Sequence, residues 1–211
     1  MYERFWKRLI DIALSTIGII VAIIPMLILA IVIKIDSPGP VLFKQKRVGI
    51  HKKTFTILKF RSMPITVPKD VPTHQFKAED MLSPFQRFLR KSSADELPQF
   101  FCIWTSKMSI IGPRPALWNQ DDLVAERDKY GANDIKPGLT GWAQINGRDE
   151  LEIPVKAKLD GEYTANLKQG GFKAFGMDLK CFFGSIKSVF RNDGVVEGGT
   201  GKTRKDEADV A

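Results

Sequence analysis

Cysteine and histidine are scarce in this chain of 211 residues, which contains two of each. Cys102 and Cys181 do not form a C-x-x-C pair, so a disulfide framework is not expected. Both are interpreted as small apolar side chains in a reducing compartment. His51 and His74 lie far apart among lysine, threonine and proline residues. Nothing in the sequence therefore predicts a zinc site.

Acidic residues are outnumbered, because 32 Lys and Arg face 24 Asp and Glu and leave a formal net charge of +8. Such a chain suits a polyanionic partner: nucleic acid, an anionic lipid surface or a phosphate-rich substrate. No motif that reads RNA or DNA is present. A phosphate loop is also missing, because the first glycine that it requires before Gly201 would fall at Val196. We therefore expect an anionic membrane or a phosphorylated substrate, and no nucleic acid.

Charge is absent from one long run, Ile12–Ile33, which consists mostly of Ile, Leu, Val and Ala. A helix needs about 20 apolar residues to cross the hydrocarbon core of a bilayer, so the run is long enough to insert. A cleaved signal peptide is the main alternative, since Arg4, Lys7 and Arg8 precede the run. However, no A-x-A-like cleavage site follows it. We predict a membrane helix within residues 1–35.

Pro25 interrupts this segment and removes one backbone hydrogen bond, which favours a kink. The pieces on either side, Ile12–Ile24 and Met26–Ile33, are each too short to cross alone. Lysine and arginine flank both ends, so the positive-inside rule gives no orientation. Two interpretations stay open. One is a re-entrant helix that enters and leaves by the same leaflet, and the other is an ordinary kinked spanning helix.

The rest of the chain is expected to form one domain over 36–191, followed by a tail over 192–211. β-branched and aromatic residues in Val41–Val48 and Thr54–Phe60 surround a turn at Gly49–Lys53, which predicts a β-hairpin. The tail is rich in glycine and charge and has few large apolar side chains. That composition predicts disorder.

Helical spacing of apolar residues predicts helices over Leu82–Arg90 and from about Asp95 to Lys107. Another apolar stripe suits either an interfacial amphipathic helix or a core helix, and comprises Leu179, Phe182, Phe183, Ile186 and Phe190. The predicted fold class is α+β and mostly helical. It combines an N-terminal re-entrant membrane helix kinked at a proline, interfacial amphipathic helices and a small β-hairpin in a monotopic membrane protein.

The segment Arg90–Gln99 carries the first candidate site. Pro98 is tolerated only near a helix start, because it has no amide hydrogen to donate. Asp95 and Glu96 are therefore expected in or just before a first helical turn, where free amides favour carboxylates and bound phosphates. A structural interpretation competes, because two Ser-x-x-acid spacings in the segment fit a capping box.

Two further segments are candidates for binding a substrate. Gly112–Pro115 holds Arg114 between two prolines, and a guanidinium fixed in that way suits bidentate contact with a phosphate. Lys136–Arg148 contains three glycines, a tryptophan and several hydrogen-bonding side chains, among them Gln144 and Arg148. Either the backbone approaches a ligand closely there, or the segment forms a strand bounded by tight turns.

Together and in this order, the motifs resemble those of the bacterial sugar transferases, the monotopic polyprenyl-phosphate phosphoglycosyl transferases. The resemblance extends to about Phe190 and is carried by Ser37–Phe43, Arg47–Gly49, Lys59–Met63, Asp95–Gln99, Met108–Ser109, Gly112–Pro115 and Pro137–Arg148. Lys107 departs from the pattern, since many relatives carry an acid before Met-Ser, and this affects only local pairing. The additional N-terminal membrane helices of longer relatives are missing, so the chain is similar to the minimal catalytic form.

The resemblance implies a two-step mechanism. Asp95 would attack the sugar-linked phosphate of a UDP-sugar, expel UMP and form an aspartyl-phosphosugar, which polyprenyl (undecaprenyl) phosphate would then attack. Mg²⁺ is the implied cofactor, with Asp95 and Glu96 as metal ligands. Glu96 would assist the metal or accept a proton from the lipid phosphate. The substrate- and phosphate-binding candidates are Lys59, Arg90, Arg114, Gln144 and Arg148.

A soluble donor and a membrane-held acceptor must meet at the membrane surface. We therefore expect the protein in the bacterial inner (cytoplasmic) membrane, with its active site on the cytoplasmic face and anionic phospholipid around it. The implied role is the first membrane step in making a bacterial glycoconjugate. Neither the sugar nor a homo-oligomeric state can be read from the sequence.

Two other functions compete. A membrane-bound glycosyl transferase would move the sugar without its phosphate and release UDP. A basic, membrane-anchored binding protein would use Asp95 and Glu96 only as helix caps.

Overall fold

A computed structural model describes residues 2–66, 81–147 and 151–191. The tail predicted to be disordered, 192–211, falls outside these residues. The described structure is mostly helical, as predicted, with two small sheets. In chain order its elements are α1 (Lys7–Asp36), β1 (Leu42–Val48), β2 (Thr54–Phe60), α2 (Pro84–Lys91), α3 (Gln99–Trp104), β3 (Ser109–Ile111), α4 (Asp121–Asp128), β4 (Gly138–Thr140), α5 (Trp142–Ile145), α6 (Ile153–Gln169) and α7 (Gly171–Arg191). Short turns of π- or 3₁₀-helix occupy Tyr2–Trp6, Ile50–Lys52, Ala94–Glu96 and Ala132–Asp134.

Helix α1 is one continuous helix of 30 residues that passes through Pro25. At 1.5 Å per residue it is about 45 Å long, and its length and composition are sufficient to cross a membrane. One face is buried along nearly the whole length, at Lys7, Asp11, Ser15, Ala22, Met26 and Ile33. The other faces expose large aliphatic side chains, which include Ile17, Ile20, Val21, Ile24, Leu27, Ile28 and Ile31.

Polar contacts join α1 to the domain at both ends. Near its start, Asp11 accepts hydrogen bonds from the Ser109 hydroxyl (3.0 Å) and the Ile110 amide (2.9 Å) of β3. At its end, Asp36 accepts one from the Ser83 hydroxyl (3.0 Å). Between them, Ala22, Met26 and Ile33 pack in a cluster with Phe60 and Leu89. The helix therefore forms one wall of the domain.

A second tie involves the N-terminal turn and Asp178 of α7. The Tyr2 hydroxyl and the Lys7 ammonium group donate to Oδ2 of Asp178 at 2.7 and 2.8 Å. The Tyr163 hydroxyl of α6 donates to its Oδ1 at 2.7 Å. Three donors thus compensate one buried carboxylate, and they fix α6 and α7 beside the start of α1.

The predicted hairpin is confirmed. Strands β1 and β2 pair antiparallel, with Phe43 opposite Lys59, Gln45 opposite Ile57 and Arg47 opposite Phe55. Directly opposed residues share a face, and alternate residues of a strand do so too. Gln45, Arg47 and Lys59 therefore lie on one face, whereas Lys44 and Lys46 are exposed on the other.

The prediction of a helix from Asp95 to Lys107 was too long. Helix α3 begins only at Gln99, after Pro98, and the two acidic residues occupy a separate 3₁₀ turn, Ala94–Glu96. The predicted capping boxes were also wrong. The Ser93 side chain makes no cap and the Ser92 hydroxyl bonds back to the carbonyls of α2. A capping box is instead formed by Ser83 and Gln86 at the start of α2.

A second sheet pairs β3 and β4 in parallel, with Ser109 beside Gly138 and Ile111 beside Thr140. Helix α7 packs beside it through Ala174, Met177 and Cys181, and both cysteines are buried as predicted. The predicted apolar stripe of α7 points outward at Leu179, Phe183 and Ile186, while Phe182 is partly buried. The side chain of Phe190 lies outside the described part of the structure.

Candidate active site

Asp95 lies in the 3₁₀ turn between α2 and α3. Ser93, directly before this turn, has a left-handed backbone with φ of 56°, which lets the chain reverse sharply after α2. The Asp95 side chain is buried, and the Ser62 hydroxyl after β2 donates to its Oδ2 at 3.3 Å. The turn therefore holds one carboxylate against the end of the hairpin.

Glu96 is held by two cations. Lys59 Nζ of β2 and Arg114 Nη2 each lie 2.7 Å from its Oε1. The side chains of Glu96 and Lys59 are 12% and 15% exposed. Charge-assisted contacts of this length are among the stronger hydrogen bonds in proteins. Glu96 thus joins the hairpin, the 3₁₀ turn and the Arg114 turn.

The neighbouring carboxyls are electrostatically different. Burial raises the pKa of Asp95 above its ordinary value, and Glu96 adds to the rise while Lys59 and the arginines oppose it. Burial alone would also raise the pKa of Glu96, but Arg114 and Lys59 outweigh it and hold that pKa well below its usual range. Burial lowers the pKa of Lys59 and Glu96 opposes this. Glu96 is therefore firmly ionised, whereas the Asp95 carboxyl takes up a proton more readily than an ordinary aspartate.

The Arg114 turn is fixed by backbone contacts with β4. The Gly112 amide donates to the Thr140 carbonyl at 2.8 Å, and the Gly138 amide donates to the Pro113 carbonyl at 2.9 Å. A Cβ atom at Gly138 would lie 2.1 Å from the Gly112 nitrogen. The glycine-rich segment therefore contains the short strand β4 followed by helix α5, and its glycines let backbone approach backbone.

The structure brings together five of the predicted site residues. Lys59, Glu96 and Arg114 are joined by the contacts above. Lys59, Arg90 and Arg114 all lie close enough to Asp95 to lower its pKa.

Gln144 of α5 lies beside the same region, because a Cβ atom at Gly141 would meet its Oε1 at 3.2 Å and the Gly112 carbonyl oxygen at 2.2 Å. Its amide is buried, and neither polar atom has a hydrogen-bond partner among the described residues. Arg148 lies outside the described residues.

Comparison with known families decides the class. The family model described as bacterial sugar transferase matches residues 2–192. The chain belongs to the bacterial sugar transferase family. All the described residues of the transferase lie within that match, and so does the cluster around Glu96.

Similar proteins carry related names. The transferase is 34% identical over 189 residues to a protein named Uncharacterized sugar transferase EpsL from Bacillus subtilis (strain 168), covering 90% of this chain and 89% of that one. It is 39% identical over 204 residues to the UDP-glucose:undecaprenyl-phosphate glucose-1-phosphate transferase of Escherichia coli (strain K12), covering 90% and 41%. It is 31% identical over 207 residues to the undecaprenyl-phosphate galactose phosphotransferase of Salmonella typhimurium, covering 91% and 42%. The chain thus spans about two fifths of the length of the last two relatives.

Sequence reasoning missed several residues of the transferase site. Ser62 contacts Asp95, and Arg47 and Gln45 lie on the same hairpin face as Lys59. Arg47 donates to the carbonyl of Pro115, next to Arg114, at 3.1 Å. The alternation along β1 was the available signal, because once Lys59 is assigned to the site its strand register places Gln45 and Arg47 on the same side.

The residues present fit a magnesium ion only in part. Asp95 offers carboxylate oxygens, whereas Oε1 of Glu96 already accepts from two cations. No cluster of three or more His, Cys, Asp or Glu able to hold a metal occurs among residues 2–66, 81–147 and 151–191. Mg²⁺ often binds through one or two carboxylates and takes its other ligands from water and substrate phosphates. Asp95 would be the residue to hold such an ion, which would arrive with a phosphorylated substrate.

Proposed function

We propose that this transferase moves a sugar-1-phosphate from a UDP-sugar to polyprenyl (undecaprenyl) phosphate and releases UMP. The observation that carries the proposal is a buried carboxyl, Asp95, beside a carboxylate held by two cations. The names of the relatives from Escherichia coli and Salmonella supply the donor and acceptor classes. The sugar itself stays open, because those names include both glucose and galactose.

The chemistry takes two displacements at one phosphorus atom. A carboxylate oxygen of Asp95 attacks the sugar-linked phosphorus, and the bond from that phosphorus to the UMP oxygen breaks, so UMP leaves with the electron pair. A phosphate oxygen of the polyprenyl phosphate then attacks the same phosphorus. The bond to Asp95 breaks, which restores the carboxylate and yields the polyprenyl-diphosphate-sugar.

The cations around the carboxylates stabilise the charge that develops. Arg114 and Arg90 contact phosphate oxygens of the substrates, and Lys59 adds a third positive charge at the hairpin. Glu96 acts as a positioning residue, because its Oε1 holds both Lys59 and Arg114. When bound at Asp95, Mg²⁺ would neutralise charge on the diphosphate.

The proposed membrane placement is supported by α1 and α7. The exposed aliphatic faces of α1 suit lipid, and the outward stripe of α7 suits the membrane surface. Because the domain contacts α1 near both Asp11 and Asp36, an upright spanning helix would carry polar parts of the domain into the hydrocarbon. This supports a monotopic arrangement at the cytoplasmic face of the inner membrane, with both ends of α1 on one side.

Two competing functions predict different products. A glycosyl transferase that leaves the phosphate behind would release UDP. A basic binding protein would release no nucleotide and would tolerate loss of the Asp95 carboxylate.

The test is an assay of detergent-purified protein with Mg²⁺, polyprenyl phosphate and a panel of UDP-sugars. We expect UMP, and no UDP, with at least one donor, and rapid quenching should trap a phosphosugar adduct on Asp95. Asp95→Asn should abolish turnover without unfolding the protein, while Asp121→Asn, at an exposed acid of α4, should be fully active. Normal turnover by Asp95→Asn would overturn the proposal.

A further inference from the structure

Arg47 carries a charge for which the described residues offer no carboxylate partner. Its Nε and Nη2 donate to Oε1 of Gln45 at 3.1 and 2.7 Å, and its Nη1 donates to the Pro115 carbonyl at 3.1 Å. These acceptors are neutral, so they orient the guanidinium without compensating its charge. A desolvated cation in such surroundings is unfavourable unless an anion joins it.

The position of Arg47 is at the candidate active site. It shares a hairpin face with Lys59, and its contact with Pro115 places it next to the Arg114 turn. Burial and, to a smaller extent, the charge of Arg114 lower the pKa of Arg47 to about 10, although Glu96 opposes the shift. Arg47 therefore remains a cation at neutral pH in a site that already holds other cations.

The charges around Glu96 do not balance. Arg47, Lys59, Arg90 and Arg114 bring four cationic side chains to a region with two carboxyl side chains, Asp95 and Glu96. An adjacent phosphate would supply the missing negative charge.

The donor geometry of Arg47 also suits an anion. A guanidinium has five N–H groups in a rigid fork. The three contacts to Gln45 and Pro115 use three of the five, and within the described ranges the other two N–H groups have no acceptor. Gln45 is buried and fixes the plane of the fork in advance.

We propose that Arg47 binds a phosphate oxygen of a substrate and that Gln45 orients it for that contact. The inference rests on the proposed function, which brings two phosphates to the site: that of the nucleotide and that of the lipid. Both present the same chemistry to a guanidinium, so the experiment has one arm for each.

The first experiment compares wild type with Arg47→Met. One arm measures the dissociation constant of UMP by calorimetry, and the other measures the KM for a short-chain polyprenyl phosphate. We expect a loss of about tenfold to hundredfold in at least one arm, the range for a charge-assisted hydrogen bond. Arg47→Lys, which retains the charge, should recover part of it. Lys46→Met, on the opposite face of β1, should change neither arm.

A second variant separates binding from a purely structural role. Gln45→Glu gives Arg47 a carboxylate partner, so the thermal midpoint should be unchanged or higher while phosphate affinity falls several-fold. A purely structural arginine would be held more firmly and would leave phosphate affinity unaltered. If Arg47→Met does not fold, the UMP affinity of Gln45→Glu tests whether Arg47 binds phosphate.

Unchanged values in both arms for the folded variants would overturn the inference. The UMP arm needs no turnover, so it gives an answer even if the wild type releases no UMP from any donor. That last result would refute the proposed function, and a loss of UMP affinity in Arg47→Met would still support phosphate binding.

Discussion

Glu96→Gln is the substitution whose effect can be worked out most fully from the structure. The change keeps the shape of the side chain but removes its charge. Lys59 and Arg114, each 2.7 Å from Oε1, would then face each other without a carboxylate between them. We expect the variant to be less stable, and also slower because Arg114 is no longer held in place.

The magnitude follows from burial. Breaking a buried ion pair by removing one partner costs about 3–5 kcal/mol. The Arg114 side chain is 32% exposed, so solvent weakens its interaction with Glu96. We therefore take the lower end of this range, a loss of about 3 kcal/mol in the free energy of unfolding. For a chain of this size each kcal/mol shifts the thermal midpoint by about 2–4 °C, which predicts a fall of about 6–12 °C.

The pH dependence supplies a second signature. Because Lys59 and Arg114 hold the pKa of Glu96 well below its ordinary value, the stabilisation is complete above the unfolded pKa of about 4.3. It is lost only as the pH falls through the lower pKa of the folded protein. The difference between wild type and Glu96→Gln should therefore be the same at pH 5.5 and pH 7.

The assay is thermal unfolding in detergent micelles, followed by tryptophan fluorescence at a fixed scan rate. Glu126→Gln is the matched control, because its partner Lys129 lies at the surface 2.6 Å away, and we expect little change in midpoint. Equal midpoints for wild type and Glu96→Gln would refute the reasoning. So would a difference that has already vanished at pH 5.5.

Two further predictions concern the scaffold of the site. Asp11→Ala leaves two hydrogen-bond donors of β3 without their acceptor, so the free energy of unfolding, measured with denaturant, should fall by about 3 kcal/mol. Thr16→Ala is the control, because the Thr16 hydroxyl donates within α1, and it should change that free energy little. Gly138→Ala places a Cβ 2.1 Å from the Gly112 nitrogen and should lower both UMP release and the thermal midpoint. Gly176→Ala, with open space around its Cβ, should leave UMP release unchanged and raise the midpoint slightly.

Local patterns were sufficient for the hairpin and the apolar helix. Alternating β-branched residues around the Gly49–Lys53 turn fix β1 and β2, and an uncharged run defines most of α1. The β3–β4 pairing was not predictable, because strands of three residues carry too little periodicity and their partners lie 29 residues apart. The helix start at Gln99 depends on Pro98, which separates the 3₁₀ turn Ala94–Glu96 from helix α3.

In the candidate site, too, local features were predictable and long-range contacts were not. Asp95 and Glu96 stood out as adjacent acids before a proline, but the contact of Glu96 with Lys59 depends on how the hairpin docks. The charge pattern of β1 does not distinguish Arg47 from Lys46, since both are cations in one strand. Only the register separates the residue that faces the site from the one that faces solvent.

The continuous contact of α1 with the domain bears on how such an enzyme can be prepared. A membrane anchor that makes no contact with its domain can be deleted to leave a water-soluble fragment. Deleting α1 would instead remove the Asp11 hydrogen bonds to β3 and expose Phe60 and Leu89 to solvent. The apolar helix and the candidate active site therefore belong to one folding unit. On the proposed membrane placement, purification has to retain a detergent or bilayer mimic throughout, and truncation would remove part of the scaffold that supports the turn at Asp95.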